Sequence, residues 1–306
     1  MMENTKTAAS VRRKVQICRQ DRIYYTISYI LIGLLTLLVL YPIVFVISAS
    51  FSSGSAVGSG KVWLWPVQPS LLGYKAVLQY RNVWLGYRNT IFYTVVGTLI
   101  NIAMTMICAY PLARKGLRGG KFFTFLFTFT MIFSGGMIPG YILVKNLKML
   151  NTVWAMLIPG AMSVYNMIVA RTFIQNTIPD ELLEAAKMDG CSDARFFFQI
   201  VVPLSKAVIA VLALWYAVGH WNAYFNAFLY LSNKQLYPLQ IFLKDILVQN
   251  QMSTETMDPE IAQQMQNMQD LMKYSMIVIA TVPVFCFYPF AQKYFVKGVM
   301  IGSVKG

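Results

Sequence analysis

The sequence predicts an all-α membrane protein with six transmembrane helices and both termini in the cytoplasm. Three observations carry that expectation. Of its 306 residues 57% are hydrophobic and only 12% charged, about half the charged share of a soluble domain, which runs near ~25%. Six stretches approach the ~20 apolar residues needed to cross a bilayer. Lysine and arginine crowd the segments that alternate to one side of those stretches. The net charge of +14 could suggest nucleic acid, but its positive residues are dispersed among spans and do not cluster on a soluble domain. No nucleic-acid partner is expected.

The elements follow in chain order. Residues 1–26 form a basic N-terminus with Lys6, Arg12, Arg13, Lys14, Arg19 and Arg22. Residues 27–48, ISYILIGLLTLLVLYPIVFVIS, are the clearest span. They are too long for a signal peptide and lack a small-residue cleavage site. A segment at 49–89 follows, with Lys61, Lys75, Arg81 and Arg88 thinly spread, and is assigned outside. Its run SAVGSGKV, Ser55–Val62, lacks the first glycine of a phosphate loop and the hydroxyl residue after Lys61. It reads as a flexible loop leading to Trp63 and Trp65, which suit an aromatic anchor at the membrane interface.

Spans two and three are expected near 90–112 and 122–143, joined by a short inner loop holding Arg114, Lys115, Arg118 and Lys121. A fourth, near 153–174, is interrupted by Pro159, Gly160, Asn166 and Arg171. It is kept because neighbouring helices can re-satisfy the backbone groups that proline and glycine free. The fifth is expected at 207–231 and the sixth at 274–296, with an external segment at 232–273 between them. There Asp258-Pro259-Glu260 opens a helix through IAQQMQNMQDLM. Lys293, Lys297 and Lys305 close the chain on the inner side. The cysteines Cys18, Cys108, Cys191 and Cys286 are scattered without CxxC spacing and imply neither a disulfide framework nor a metal site.

The loop at 176–205 is the unusual part: a polar helix-turn-helix between apolar spans, on the cytoplasmic side. Thr177, Pro179 and Asp180 make a helix start, with acids at the positive end of the dipole. Gly190 stands where a helix end takes a left-handed residue. Ser192 caps a second helix, DARFFFQIVV, that ends against Pro203. Such a pair could lie on lipid headgroups or present a docking surface to a soluble partner.

Its spacing resembles a known motif. Glu184-Ala185-Ala186, three residues, Gly190, nine residues, then Ile200-Val201-Val202-Pro203 is similar to the EAA loop of ABC importer permeases. It departs only in Val202, where that motif has leucine. HWNAYFNAFLYL in the fifth span and the C-terminal YPFAQKYFVKGVMIGSVKG resemble sugar-importer permeases of the maltose type, in the branch associated with oligosaccharides and polysaccharide fragments. The resemblance covers nearly the whole chain and implies the type I ABC importer permease fold, in a bacterial cell membrane. It implies that Glu184, Ala185, Ala186, Asp189, Gly190 and Pro203 couple to a cytoplasmic ATPase, with Glu184 the charged contact and the two alanines allowing close approach. It further implies two ATPase subunits that hold ATP and Mg, a second permease of different sequence, and an external solute-binding protein. The chain would then have no cofactor and no catalysis of its own.

Polar groups inside a span are functional candidates because lipid cannot satisfy them. The fifth span offers His220, Trp221, Asn222, Tyr224 and Asn226, and the fourth offers Asn166, with Tyr165 and Arg171 behind it. Trp221 with Asn222 suits a sugar, an apolar ring face beside an amide. Interhelical hydrogen bonding explains the same residues, and Arg171 could snorkel to the inner interface. His220, the one histidine, is not read as a metal ligand. The 49–89 and 232–273 segments either dock the binding protein or merely cover the bundle. Three alternatives compete with sugar import. An ABC permease for another solute shares the loop. An ion-coupled secondary transporter would place acids within the spans, where few occur. A membrane enzyme needs carboxylates beside histidines or a metal motif, and the dense acids Asp180, Glu181, Glu184, Asp189 and Asp193 have neither.

Overall fold

The chain folds around one long helix whose two faces collect most of the others. In the computed structural model, which describes residues 18–249 and 259–303, the described residues form helices and no strand. The basic positions Lys6, Arg12, Arg13 and Lys14, with Asp258 and Lys305, lie outside the described residues.

Helix α1, Arg19–Ser50, is apolar on every face and carries most of its large side chains exposed. A helix apolar all round is one built for lipid. Only its end is gripped. Ser48 Oγ donates to the Leu64 carbonyl at 2.7 Å, and Ser50 Oγ meets Tyr74 Oη at 2.8 Å. The 49–89 segment is more structured than a flexible loop. It holds α2, Gly54–Gly58, and α3, Leu72–Gln79, with Ser53 Oγ capping α2 through the Ala56 N–H. Trp63 and Trp65 remain 69% and 81% exposed, free to sit at an interface.

The central helix is α4, Arg81–Ala113, 33 residues long and so about three and a half turns longer than the ~20 residues a bilayer requires. Past it the chain departs from the expected straight spans. The third span is two helices, α5 at Gly120–Ile132 and α6 at Met137–Asn146, bent by 112°. Ser134, Gly135 and Gly136 make that corner, and Gly136 takes a positive φ of 83°. The fourth is α7, Trp154–Leu157, and α8, Val164–Thr177, parted by Pro159 and Gly160. Neighbours meet the freed backbone there: Asn101 Nδ2 donates to the Gly160 carbonyl, and the Ser163 N–H donates to Tyr216 Oη at 3.1 Å.

Three short pieces carry the loop at 176–205: α9, Asp180–Met188; α10, Asp193–Phe196; and α11, Val202–Leu204. The fifth span is then α12, Lys206–Trp221, and α13, Phe225–Tyr230, broken at Asn222–Tyr224. Helix α14, Leu239–Gln249, covers the bundle's end, and α15 runs unbroken over Pro259–Ser303. The helix expected to open at Pro259 and the sixth span are therefore one element. Two helices, Gln20–Ser50 and Arg81–Ala113, are individually long and apolar enough to cross a membrane, and two bent pairs qualify as broken spans.

Packing follows two seams. One face of α4 meets α8 and α12 around Met106, Met167, Ile174, Phe196 and Leu212. Helix α15 gathers α1, α2, α3, α12 and α14, with Val77, Leu239 and Met276 fully buried between them. At Gly73 the backbones nearly touch: a Cβ would sit 2.5 Å from Ser275 Oγ and 2.8 Å from the Leu271 carbonyl oxygen. A carbonyl oxygen cannot step aside. Gly73→Ala should push α3 off α15 and cost about 1–3 kcal/mol as overpacking does, read as a lower thermal midpoint of the purified protein. An unchanged midpoint would show that this seam yields freely.

Candidate functional site

The loop at 176–205 is built as a clamp between the bundle and an open surface. Helix α9 begins at Asp180 with Pro179 in the cap position, where its missing N–H costs nothing. Thr177 plays no capping part. It ends α8, and its hydroxyl is buried without a partner. At the other end the Gly190 N–H bonds the Lys187 carbonyl at 3.0 Å and the Cys191 N–H bonds the Ala186 carbonyl at 2.9 Å. Those two bonds with Gly190 at φ 77° form a Schellman stop. Ser192 Oγ then accepts the Arg195 N–H at 3.3 Å and starts α10.

Pro203 does not end the second helix. A π-helical turn at Phe197–Val201 carries the chain through Val202–Leu204, and the break falls at Ser205. A wide turn accommodates a residue that cannot donate its own N–H. The path bends by 78° before α12. The chain from α9 thus reaches α12 through a short elbow in which Val201 and Ser205 are fully enclosed while Pro203 and Leu204 are exposed.

Nine residues divide into two faces. Leu183 and Ala186 turn inward and pack on the α4–α8–α12 core, as does Cys191. Glu181, Leu182, Glu184, Ala185, Lys187 and Met188 are exposed, as is the C-cap Asp189, and Asp180 is half-buried. Ala186 thus seats the helix on its own bundle, whereas Ala185 has the outward position that close approach by another protein requires. Met188, 89% exposed, is an apolar side chain on that face that sequence reasoning passed over. Its signal was available: a methionine at the end of a polar helix, with no core partner within one turn.

Arg114 holds the assembly to α4. Its guanidinium lies 5.0 Å from the Tyr110 ring and 5.2 Å from the Phe196 ring, and Nη1 reaches Asp180 Oδ1 at 3.4 Å. Lys115 reaches the other oxygen of Asp180 at 3.2 Å. The first residue of α9 is therefore tied to the last turn of α4, and Phe196 of α10 is stacked into the same knot. In the sequence these basic residues signalled orientation alone.

The polar residues of the fifth span separate. His220 Nε2 lies 2.6 Å from Asn101 Oδ1, completing a chain from α12 through α4 to the Gly160 carbonyl. Trp221 is buried, its indole N–H donating to the Ala280 carbonyl at 3.0 Å and its ring edge-on to Tyr87. The ring expected to stack on a sugar is a packing element in this conformation, because α15 supplies both its cover and its acceptor. Asn222, Tyr224 and Asn226 are exposed at the break between α12 and α13. Asn166 is buried in the first turn of α8, beside the Ser163 cap. Arg171 does not snorkel. Its Nε donates to the Leu112 carbonyl at 2.8 Å, closing the end of α4. Among the described residues no group of three His, Cys, Asp or Glu side chains could hold a metal ion, and the four cysteines are unpaired thiols.

Comparison with known proteins matches this architecture closely. Residues 82–301 match the family described as binding-protein-dependent transport system inner membrane component. The polygalacturonan/rhamnogalacturonan transport system permease protein YtcP of Bacillus subtilis is 38% identical over 94% of this chain and 100% of its own length. Protein LplC of the same organism is 38% identical over 94% of this chain and 97% of its own. Among solved structures, a bacterial ABC transporter involved in the import of the acidic polysaccharide alginate superposes with a TM-score of 0.81 at 35% identity, covering 91% of this chain and 98% of that one. Such a subunit works with a partner permease, an ATPase and a substrate-binding protein, and is a transport component with no reaction of its own. The chain belongs to the binding-protein-dependent transport system inner membrane component family, the permeases of ABC importers.

Proposed function

We propose that the chain forms half of the translocation path of an ATP-driven importer for oligosaccharides or polysaccharide fragments, coupled to its ATPase through α9. The observation that carries the coupling is the pairing of an exposed face on α9, bearing Glu181 and Glu184, with an ion-paired tether to α4 and a short elbow into α12 anchored by the enclosed Val201 and Ser205. The sugar class is supported by relatives at 35–38% identity named for polysaccharide and galacturonan transport. Six spans with both termini cytoplasmic complete the reading, with 49–89 and 232–273 outside as the surface for a solute-binding protein. Two ATPase subunits supply the ATP and Mg sites, and a second, different permease chain supplies the other half of the path.

Within that path Asn222, Tyr224 and Asn226 are assigned to the sugar, since all three side chains are exposed where the helix breaks. His220, Trp221 and Asn166 are assigned to holding the helices around it. On α9, Glu184 and Asp189 meet the ATPase at the polar rim of the contact, with Ala185 and Met188 at its apolar centre. Glu184→Lys reverses a charge on that exposed face without touching the core. It should leave the chain in the membrane while the ATPase no longer co-purifies with it and uptake falls to background. Retention of the ATPase at wild-type stoichiometry by the Glu184→Lys chain would remove α9 as the docking element. Co-purification of no ATPase with the wild-type chain would overturn the importer reading altogether.

A further inference from the structure

A cavity of about 800 Å³ opens beside the tether, between the end of α4, the start of α5 and the last turns of α8. Its wall carries Arg114, Lys115, Lys121 and Arg171. Among the described residues the one carboxylate paired with any of these is Asp180, so four cations against one anion leave a net +3. The charge is poorly discharged. Nine-tenths of the Arg114 side chain is buried, and its Nε and Nη2 find no acceptor. Those two donors are sealed beside the Tyr110 and Phe196 rings, so the buried charge acts on the cavity through its field, and an anion there would be met by Lys115, Lys121 and Arg171.

Two features say what would join it. The 13-residue α5 starts on this cavity with Gly119 and Gly120, with no acid in its first turn, so its positive dipole end adds to the same field. Beyond the basic floor the wall carries Phe125 of α5, 65% exposed, and Phe122, 63% exposed, lies one turn back on the same helix outside the lining. A basic floor under an apolar wall is the profile of a lipid: phosphate below, acyl chain alongside. A soluble anion would use the floor and leave the phenylalanines bare.

We propose that this cavity binds a phosphate ester anion, supplied by the headgroup of an anionic phospholipid, and so braces the end of α4 to which the coupling helix is tied. Placement in the cytoplasmic leaflet rests on the orientation proposed above; the binding does not. The test uses the purified importer complex, stripped of lipid in an uncharged detergent, with phosphatidylglycerol, phosphatidylcholine or inorganic phosphate added in turn. Phosphatidylglycerol should raise the thermal midpoint and phosphatidylcholine should not. Lys121→Gln and Arg171→Gln should each weaken the phosphatidylglycerol response about five-fold, the worth of one cation at a lipid surface. Lys121 is exposed and bonded to nothing that holds the fold, so its variant keeps the test open if Arg171→Gln fails to fold. If inorganic phosphate alone reproduces the full shift, lost in the variants, the site stands with a soluble phosphate as its occupant. Equal responses to the two lipids with phosphate inert, or a phosphatidylglycerol response unchanged by Lys121→Gln, overturns the proposal in favour of a partner subunit's carboxylate closing the cavity. Labelling of Lys121→Cys in sided vesicles checks the orientation separately.

Discussion

Replacing Gly190 by proline is expected to abolish uptake while leaving the subunit in the membrane. Gly190 stands at φ 77°, and proline is confined to about −65°. The substitution also deletes the N–H that bonds the Lys187 carbonyl at 3.0 Å. With that bond and the turn both lost, Cys191 can no longer reach the Ala186 carbonyl, and α9 has no fixed stop. The cost is about 3 kcal/mol or more, concentrated on a nine-residue helix that cannot stand alone at that length. The spans are untouched, so insertion and assembly should persist. Substrate should no longer stimulate ATP hydrolysis in the reconstituted complex. A graded series sharpens the reading. Gly190→Ala must bear only the left-handed strain of about 1–2 kcal/mol, and Gly190→Asn less, because asparagine visits that region more readily. Activity should rise from proline to alanine to asparagine. Full stimulation in Gly190→Pro would mean that α9 transmits nothing.

How much of this site can be read from the sequence depends on whether a feature is local. Gly190 and Ser192 are local: a turn that needs positive φ and a cap that needs a hydroxyl are properties of the residues themselves, and both stand where the sequence puts them. The spacing around Glu184 is local too. The apolar stretches are legible as membrane helices, and Pro159 and Gly160 mark the break at 158–163, but the breaks at 133–136 and 222–224 are not legible. A hydropathy window averages over a corner, and a break survives only because a distant group serves it, as Asn101 serves Gly160 across 59 residues. The phase of α9 is hidden for a related reason. Leucine stands at both 182 and 183 and alanine at both 185 and 186, so only the packed core shows that Leu183 and Ala186 turn inward. Trp221 shows the same limit from the other side. Its chemistry suits a sugar, and nothing nearby in sequence reveals that the Ala280 carbonyl already holds its N–H.

The same distinction gives the second large effect, at a residue that local pattern leaves among the orientation signals. Arg114→Ala is expected to uncouple ATP hydrolysis from transport without dispersing the complex. The side chain makes two cation–π contacts, with Tyr110 and Phe196, each worth ~0.5–2 kcal/mol when partly desolvated. It also makes the nearer-buried of two ion pairs to Asp180. Its loss leaves Lys115, which is 90% exposed and so contributes at most ~1 kcal/mol as a surface pair. Helix α9 keeps its inward contacts through Leu183 and Ala186, so the ATPase still has its seat. What goes is the stiffness between that seat and α4. The expected result is ATP hydrolysis near the wild-type rate with several-fold more ATP consumed per sugar imported. Arg114→Lys separates charge from shape. It keeps the cation but cannot lie flat between two rings while reaching a carboxylate, so its ratio should fall between alanine and wild type. Arg114→Glu should be worse than alanine, because it sets a carboxylate against Asp180 in a half-buried site. A wild-type ratio of ATP to sugar in all three variants would leave the elbow at Ser205 as the sole route from α9 to the transmembrane path.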